Sequence, residues 1–152
     1  REAVTQSTQW RKAGKKIVLV TGVFDLFHSE HQSFLKAAAL QGDVLIVGVE
    51  SDVRVRLLKG PGRPVHSQEE RQKKIATVPH VSAVFILPED FSKPEHHKAL
   101  IESIRPAVLA VSAHSPHQDK KQAILSEFGG KVVVVLEHNP AVSTTKILAG
   151  LA

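Results

Sequence analysis

Two histidines three positions apart, His28 and His31, follow the first strongly apolar run of the chain, residues 17–20. If a helix begins there, this spacing places both imidazoles on one face of it. The free N–H groups and the positive dipole at a helix start are suited to phosphate. The same pair could instead hold a metal or form hydrogen bonds at a helix cap. The two residues alone therefore leave phosphate binding, metal binding and a structural role open.

Five apolar runs, mostly rich in β-branched residues, indicate the elements that position this pair. They are residues 17–20, 44–47, 81–87, 108–111 and 132–136. Continuous rather than alternating apolar residues are typical of strands buried on both faces of a parallel sheet. Helical spacing follows each run, which predicts helices near residues 34–39, 68–78, 94–104, 118–128 and 143–151. The pattern predicts an α/β fold, a doubly wound five-stranded parallel sheet that binds ligands at the carboxyl ends of its strands.

The length of 152 residues fits one compact domain. We assign it to residues 16–152, with residues 1–15 as an N-terminal lead-in that is either frayed or a short helix ending at Gly14. No apolar run approaches the roughly 18 residues that cross a bilayer, and no signal-peptide pattern is present. The absence of cysteine excludes disulfides, a cysteine nucleophile and thiolate metal sites. We expect a cytoplasmic protein with no membrane partner.

The net charge of the chain is +5, and its pI lies near 9.6. Such a balance indicates either an anionic partner or a lysine-rich solvated surface. Aromatic residues make up only 5% of the chain, and tyrosine is absent, which disfavours binding of single-stranded nucleic acid by stacking. A small phosphorylated ligand fits the charge as well as nucleic acid does, and we do not expect nucleic acid as the partner.

The segment after the first apolar run resembles the signature of the HxGH nucleotidyltransferases of the cytidylyltransferase-like family, G-x-F-D-x-x-H-x-G-H. The matching residues, in order and spacing, are Gly22, Phe24, Asp25, His28 and His31. Three further segments resemble the family: residues 58–65 its lysine-bearing loop after the second strand, Glu70-Arg71 the start of the next helix, and residues 143–147 its S-T-T-K-I helix start. The resemblance covers residues from about 9 to 151 and implies the Rossmann-like nucleotidyltransferase fold.

Within this family, residues 10–18 and 63–65 look most like heptose-1-phosphate adenylyltransferases. Glycerol-3-phosphate cytidylyltransferases share the Ser-Thr-Thr-Lys helix start, so the motifs leave ATP and CTP open. The resemblance implies transfer of AMP or CMP from the triphosphate to a small phosphorylated acceptor, such as a sugar or polyol phosphate, with release of pyrophosphate. It also implies Mg²⁺ as cofactor and a homodimer.

The resemblance assigns roles to thirteen residues of this chain. It implies that the catalytic residues are His28, His31 and Lys59. It implies that the nucleotide is contacted by Gly22, Val23, Phe24, Ser112, Ser143, Thr144 and Thr145. It implies that the acceptor is contacted by Asp25, Arg63 and Arg71, with Asp25 facing the acceptor or magnesium. No metal held by protein ligands alone is expected.

Several of these residues have an alternative, purely structural interpretation. Lys59 is flanked by glycine and proline and could be an exposed loop lysine. Arg71 lies at a predicted helix start, where a cation is disfavoured, so it pairs either with a bound anion or with Glu69, Glu70 or a distant acid. Asp25 could be a turn former, and residues 143–145 could only cap a helix.

Glu30 departs most from the family pattern, because the motif normally has glycine at this position. Glycine permits close approach of the backbone to a ligand, whereas glutamate adds a side chain and a negative charge beside a triphosphate site. The alternative function is therefore a divergent nucleotide-binding module with weak or no turnover. Ser112 and His114 also replace a Gly/Asp-containing segment that touches the nucleotide in the family.

Overall fold

The computed structural model describes residues 2–25, 29–89, 91, 93–112 and 118–136. Five strands and six helices occur in this part of the chain. In chain order they are α1 (Glu2–Lys12), β1 (Ile17–Gly22), α2 (Ser29–Ala39), β2 (Val44–Val49), α3 (Asp52–Lys59), α4 (Gln68–Ala76), β3 (Ala83–Ile86), α5 (Pro94–Ile104), β4 (Val108–Ser112), α6 (Gln118–Ser126) and β5 (Lys131–Leu136). None of these helices is long and apolar enough to cross a membrane.

The strands form a single parallel sheet in the order β3-β2-β1-β4-β5, which confirms the predicted doubly wound α/β fold. The register of β1 and β2 pairs Ile17 with Val44 and Gly22 with Val49, so the carboxyl ends of these two strands are level. Strand order reverses between β1 and β4. Such a reversal opens a crevice at the carboxyl ends of the strands, and ligands of doubly wound sheets bind there.

Two hydrophobic cores cover the two faces of the sheet. On one face, side chains such as Val18 and Val20 of β1 pack with Leu35 of α2. On the other, Leu19 of β1 packs with Ile101 of α5. Alternate residues of one strand therefore enter different cores, which explains why the central strands are continuously apolar in sequence.

The amino-terminal stretch forms a helix over residues 2–12, the second of the two alternatives for this segment. Ala3 is only 4% exposed and belongs to the core between the sheet, α5 and α6, and Trp10 packs against the same core. The Ser7 hydroxyl donates a 2.8 Å hydrogen bond to the carbonyl of Val4 within the helix, which satisfies a fully buried polar group. Helix α1 therefore contributes to the hydrophobic core on this face of the sheet.

Helix α3 is absent from the sequence-based prediction, and Lys59 is its last residue rather than part of a loop. Ser51 caps the helix by accepting a hydrogen bond from the backbone N–H of Arg54 at 3.1 Å. The apolar pattern of the helix is misleading, because Leu57 and Leu58 are exposed and only Val55 is buried. The helix predicted over residues 143–151 lies outside the described residues.

Candidate active site

The carboxylate of Asp25, in the loop that follows β1, holds the segment 63–66 against the end of that strand. Its Oδ2 accepts hydrogen bonds from Nε of Arg63 at 3.1 Å and from the backbone N–H of Val65 at 2.7 Å. Its Oδ1 accepts from the backbone N–H of His66 at 3.0 Å. Burial by itself raises the pKa of Asp25, but these three hydrogen bonds and the Arg63 charge outweigh burial and lower it. The ionised carboxylate is therefore an anchor of the site.

The same contacts decide whether Asp25 can bind magnesium. A cation at its carboxylate would displace N–H donors and stand beside the Arg63 guanidinium, so the residue does not fit a magnesium ligand. No group of three histidine, aspartate or glutamate side chains that could hold a metal ion occurs among the described residues.

Arg63, beside Asp25, has a side-chain nitrogen whose hydrogen-bond donors are unused among the described residues. Its side chain is 11% exposed and is oriented through the Nε contact with Asp25. Within the described part of the structure, Nη2 is buried and has no hydrogen-bond partner. A buried unpaired donor is costly, and a guanidinium held on one edge is preorganised to bind phosphate with its other edge. The predicted role of Arg63 toward an acceptor phosphate fits this geometry.

Arg71 of α4 connects three segments of the site from within the protein. Its Nη1 donates to the carbonyls of Val23 at 2.8 Å and Glu50 at 2.7 Å, and its Nε donates to the carbonyl of His66 at 3.1 Å. Its Nη2 forms a 2.9 Å ion pair with Asp52. Of the two partners predicted for Arg71, a bound anion or an acid, the described residues provide a distant acid. The 2% exposure of this arginine fits a bracing role, and its contact with an acceptor stays a prediction.

A packed unit at the end of β1 consists of Gly22, Phe24 and His31. Phe24 has a positive φ of 54°, and its ring lies over Gly22 so closely that a Cβ at position 22 would be 2.8 Å from it. The Phe24 ring meets the His31 imidazole edge to face, with centroids 5.4 Å apart. Glycine is therefore required here by side-chain packing, and the packing supports His31 in the first turn of α2.

The other predicted site residues lie apart from this network or outside the described part of the chain. Lys59 is exposed at the end of α3. Ser112 ends β4 at the reversal of strand order, where its carbonyl accepts a 3.3 Å hydrogen bond from Nε2 of Gln118. His28 lies outside the described residues, as do Ser143, Thr144 and Thr145. The structure thus brings Asp25, Arg63 and Arg71 into one network, and the predicted roles of the other residues remain untested.

Similarity to known proteins agrees with this geometry. Residues 19–150 match the family described as cytidylyltransferase-like. The chain belongs to that family. Its five-stranded sheet, with the HxxH segment after β1, is thus the family's domain, and the predicted resemblance is confirmed.

Full-length relatives of this cytidylyltransferase-like domain are considerably longer. The bifunctional protein HldE of Methylobacillus flagellatus is 38% identical over 144 residues, which cover 94% of this chain and 28% of that protein. The bifunctional protein HldE of Pseudomonas paraeruginosa is 39% identical over 140 residues, covering 91% of this chain and 28% of that protein. The chain therefore spans under a third of the length of these relatives.

Solved structures with low sequence identity share the fold. A lipopolysaccharide core biosynthesis protein from Thermoplasma volcanium superposes with a TM-score of 0.67 at 21% identity, covering 83% of this chain and 98% of that one. A pantoate-beta-alanine ligase from Francisella tularensis has a TM-score of 0.54 at 16% identity, covering 97% of this chain and 74% of that one. These likenesses extend the Rossmann-like architecture to distant proteins.

The structure also reveals two charged residues that sequence reasoning missed, Glu50 and Lys121. Burial raises the pKa of Glu50, an effect that the charges of Arg54, Arg71 and Lys121 only partly offset. Burial lowers the pKa of Lys121, partly offset by the charge of Glu50. The two residues are far apart in sequence and belong to no motif, so only the tertiary fold identifies their interaction.

Proposed function

We propose that this chain transfers a nucleoside monophosphate from ATP or CTP to a small phosphorylated acceptor, most simply a sugar or polyol phosphate. In this reaction an acceptor phosphate oxygen attacks the α-phosphorus of the triphosphate. A new P–O bond forms there, the bond to the β-phosphate bridge breaks, and pyrophosphate leaves with the electron pair. Family membership supports this reaction class, and the likeness of residues 63–65 to heptose-1-phosphate adenylyltransferases supports a sugar phosphate as acceptor.

The observation that carries the proposal is the buried Nη2 of Arg63 at the carboxyl end of β1, which has no hydrogen-bond partner among the described residues. Phosphoryl transfer between two anions depends on positioning and charge neutralisation more than on covalent chemistry. Arg63 is fixed by the Asp25 carboxylate, so it can bind the acceptor phosphate without losing further side-chain entropy. It would hold the acceptor oxygen for attack at the α-phosphorus.

The other site residues complete the charge balance in this proposal. His31, together with His28, would donate hydrogen bonds to the triphosphate as negative charge develops on the leaving pyrophosphate. Lys59 is an exposed point charge that would approach the phosphates once they bind. Mg²⁺ would enter with the triphosphate as part of the substrate, because magnesium in such reactions binds largely through the oxygens of the substrate phosphates.

The same proposal includes two expectations about the location and the oligomeric state of the protein. A cytoplasmic location fits a reaction that consumes a nucleoside triphosphate, and a homodimer is expected from the family resemblance. A nucleotide-binding module without turnover, the alternative suggested by Glu30, is not favoured by the relatives.

The acceptor role of Arg63 is tested by steady-state kinetics with the triphosphate and acceptor pair that gives the highest rate. Arg63→Lys keeps the positive charge but loses the planar fork, so we expect the acceptor KM to rise about tenfold or more while the triphosphate KM changes little. Arg56→Lys, at an exposed position of α3, is the matched control and should behave as wild type. A rise confined to the triphosphate KM would contradict the assignment.

A further inference from the structure

Two charged side chains near the carboxyl end of β2 each carry a buried polar atom without a partner. Glu50 directly follows β2, and Arg54 lies in the first turn of α3. Across the part of the chain that the structure describes, Oε1 of Glu50 and Nε of Arg54 are buried and form no hydrogen bond. The first atom is an acceptor and the second carries a donor, so together they match a ligand that offers both.

The backbone of Glu50 is fixed beside the end of β1. Its N–H donates to the carbonyl of Gly22, the last residue of β1, at 2.9 Å. Its carbonyl accepts a 2.7 Å hydrogen bond from Nη1 of Arg71. Val49 packs in the core that α2 covers, so the alternation of side chains directs Glu50 to the other face of the sheet. The carboxyl group therefore stands at the edge where a doubly wound sheet binds its ligands.

Arg71 also joins the start of α3 to the segment that carries Arg63. Its Nη2 pairs with Asp52, the first residue of α3, at 2.9 Å, and its Nε donates to the carbonyl of His66 at 3.1 Å. The backbone N–H of His66 in turn donates to the Asp25 carboxylate that orients Arg63. One connected set of hydrogen bonds thus holds the end of β2 and the start of α3 on the side of the site that we assign to the acceptor.

The two unpaired atoms reduce the stability of the fold. A carboxylate oxygen or guanidinium nitrogen that loses its water on burial without gaining a partner costs free energy. A cation in the first turn of a helix is also disfavoured by the helix dipole, and Arg54 is the third residue of α3. Apolar side chains of similar length would avoid these costs. A bound ligand that supplies both partners accounts for the presence of the two charged residues.

The opposite charges of the two side chains restrict the chemistry of this ligand. The carboxylate of Glu50 repels a phosphate group, and the guanidinium of Arg54 repels a cation. A hydroxyl group is neutral and is both a donor and an acceptor, so it satisfies either atom. Hydroxyl groups distinguish a sugar or polyol phosphate from a simple phosphate ester, and Arg63 is already assigned to the phosphate.

We propose that Glu50 and Arg54 recognise hydroxyl groups of the phosphorylated acceptor. Oε1 of Glu50 accepts a hydrogen bond from one hydroxyl, and Nε of Arg54 donates a hydrogen bond to a hydroxyl oxygen. This inference rests on the proposed function and narrows its substrate class to acceptors that carry several hydroxyl groups. The two residues determine specificity, while Arg63 holds the phosphate that reacts.

Deoxy analogues of the acceptor test this role. The kcat/KM of wild type, Glu50→Met and Arg54→Met is measured with the acceptor that gives the highest rate and with analogues that each lack one hydroxyl group. With wild type, we expect at least one analogue to lose about 10- to 100-fold, because its binding leaves a buried polar atom unpaired. The same analogue should lose under about threefold in the variant whose missing side chain contacts that hydroxyl.

Matched controls separate this effect from a general loss of charge or of folding. Arg56→Met on α3 and Glu69→Met on α4 remove charges at exposed positions and should discriminate between the acceptors as wild type does. The double variant Glu50→Met/Arg54→Met should melt no earlier than wild type, because it removes both unpaired atoms. A melting temperature several degrees lower would show that the two side chains serve the fold, and would overturn the inference.

The remaining outcomes separate this inference from the proposed function. Equal discrimination against deoxy acceptors by wild type and both variants would overturn the role of Glu50 and Arg54, while continued release of pyrophosphate would leave the proposed reaction intact. A hydroxyl of the ribose is tested with 2′-deoxy and 3′-deoxy triphosphates. If the variants lose discrimination against these triphosphates instead, the assignment to the acceptor is wrong. A wild-type chain that releases no pyrophosphate with any pair would overturn both proposals.

Discussion

Asp25 accepts a 3.1 Å hydrogen bond from Nε of Arg63, and Nη2 of the same guanidinium is buried without a hydrogen-bond partner among the described residues. Asp25 thereby fixes the orientation of the Arg63 side chain, and another nitrogen of the guanidinium keeps its hydrogen-bond donors. Because Asp25 also accepts hydrogen bonds from the backbone N–H groups of Val65 and His66, it fixes the path of the backbone around Arg63. One buried carboxylate thus organises both the segment and the cation that we assign to the acceptor phosphate.

Replacing Asp25 by asparagine should destabilise the fold. Asparagine removes the charge and leaves three donors facing one amide oxygen and an NH₂ group, and breaking a buried charged pair costs about 3 kcal/mol or more. The loss in free energy of unfolding is measured by urea denaturation at pH 7. An Asp25→Asn variant as stable as wild type would contradict the anchoring role.

The pH dependence of this effect follows from the lowered pKa of Asp25. A folded pKa below the ordinary value near 3.8 means that the carboxylate stabilises the fold fully above that value and loses this contribution as the pH falls through the folded pKa. The difference in stability between wild type and Asp25→Asn should therefore be largest at neutral pH and shrink below about pH 4. A constant difference from pH 7 to pH 3 would exclude a titrating carboxylate as its source.

Arg71→Met should be among the most destabilising single substitutions in the chain. The change removes four hydrogen bonds to Val23, Glu50, His66 and Asp52 and leaves buried acceptors unpaired, with a cost of about 3–5 kcal/mol. Lys73→Met, at an exposed position on the same helix, is the control and should change stability by under about 0.5 kcal/mol. Comparable unfolding midpoints for the two variants would contradict the bracing role.

The sequence predicts the sheet well because continuous apolar strands are a local signal. The helix Pro94–Ile104 is predicted to the residue, since proline and helical spacing mark its limits. Helix Asp52–Lys59 is missed because its apolar side chains are largely exposed and form no buried stripe of the kind that helical spacing detects.

The candidate site is less accessible to sequence reasoning than the sheet. Motif spacing finds Asp25 and Arg63, but their contact joins residues 38 positions apart. The partner of Arg71 among several acids depends on the path of α3, which the sequence did not indicate. The interaction of Glu50 with Lys121 requires the strand order β2-β1-β4, and no local pattern encodes that order.

His31→Ala should lower kcat about 100-fold or more, the scale of losing one preorganised donor to developing charge. The variant should stay folded, because the edge-to-face contact with Phe24 that it loses is worth about 0.5–1.5 kcal/mol. His28→Ala is expected to reduce kcat to a similar extent. His80→Ala, at an exposed position, serves as control. Wild-type turnover in a folded His31→Ala preparation would remove His31 from the mechanism.

Lys59→Ala should reduce turnover strongly while changing stability by under about 0.5 kcal/mol, since the side chain is exposed at the end of α3. Lys59→Arg should restore little activity, because a planar fork does not replace a compact ammonium. Lys74→Ala, at an exposed position near the end of α4, is the control. Kinetics indistinguishable from this control would mean that Lys59 is an ordinary surface lysine.

Pyrophosphate release is the measurement that tests the central claim most directly. The chain is incubated with ATP or CTP, magnesium and a panel of sugar and polyol phosphates, and pyrophosphate is quantified together with the nucleoside-diphosphate-linked product. We expect at least one pair to yield both products in equal amounts, with the yield dependent on Arg63. Triphosphate binding without pyrophosphate from any pair, followed by turnover only after Glu30→Gly, would contradict the account and identify a nucleotide-binding module that has lost its catalytic function.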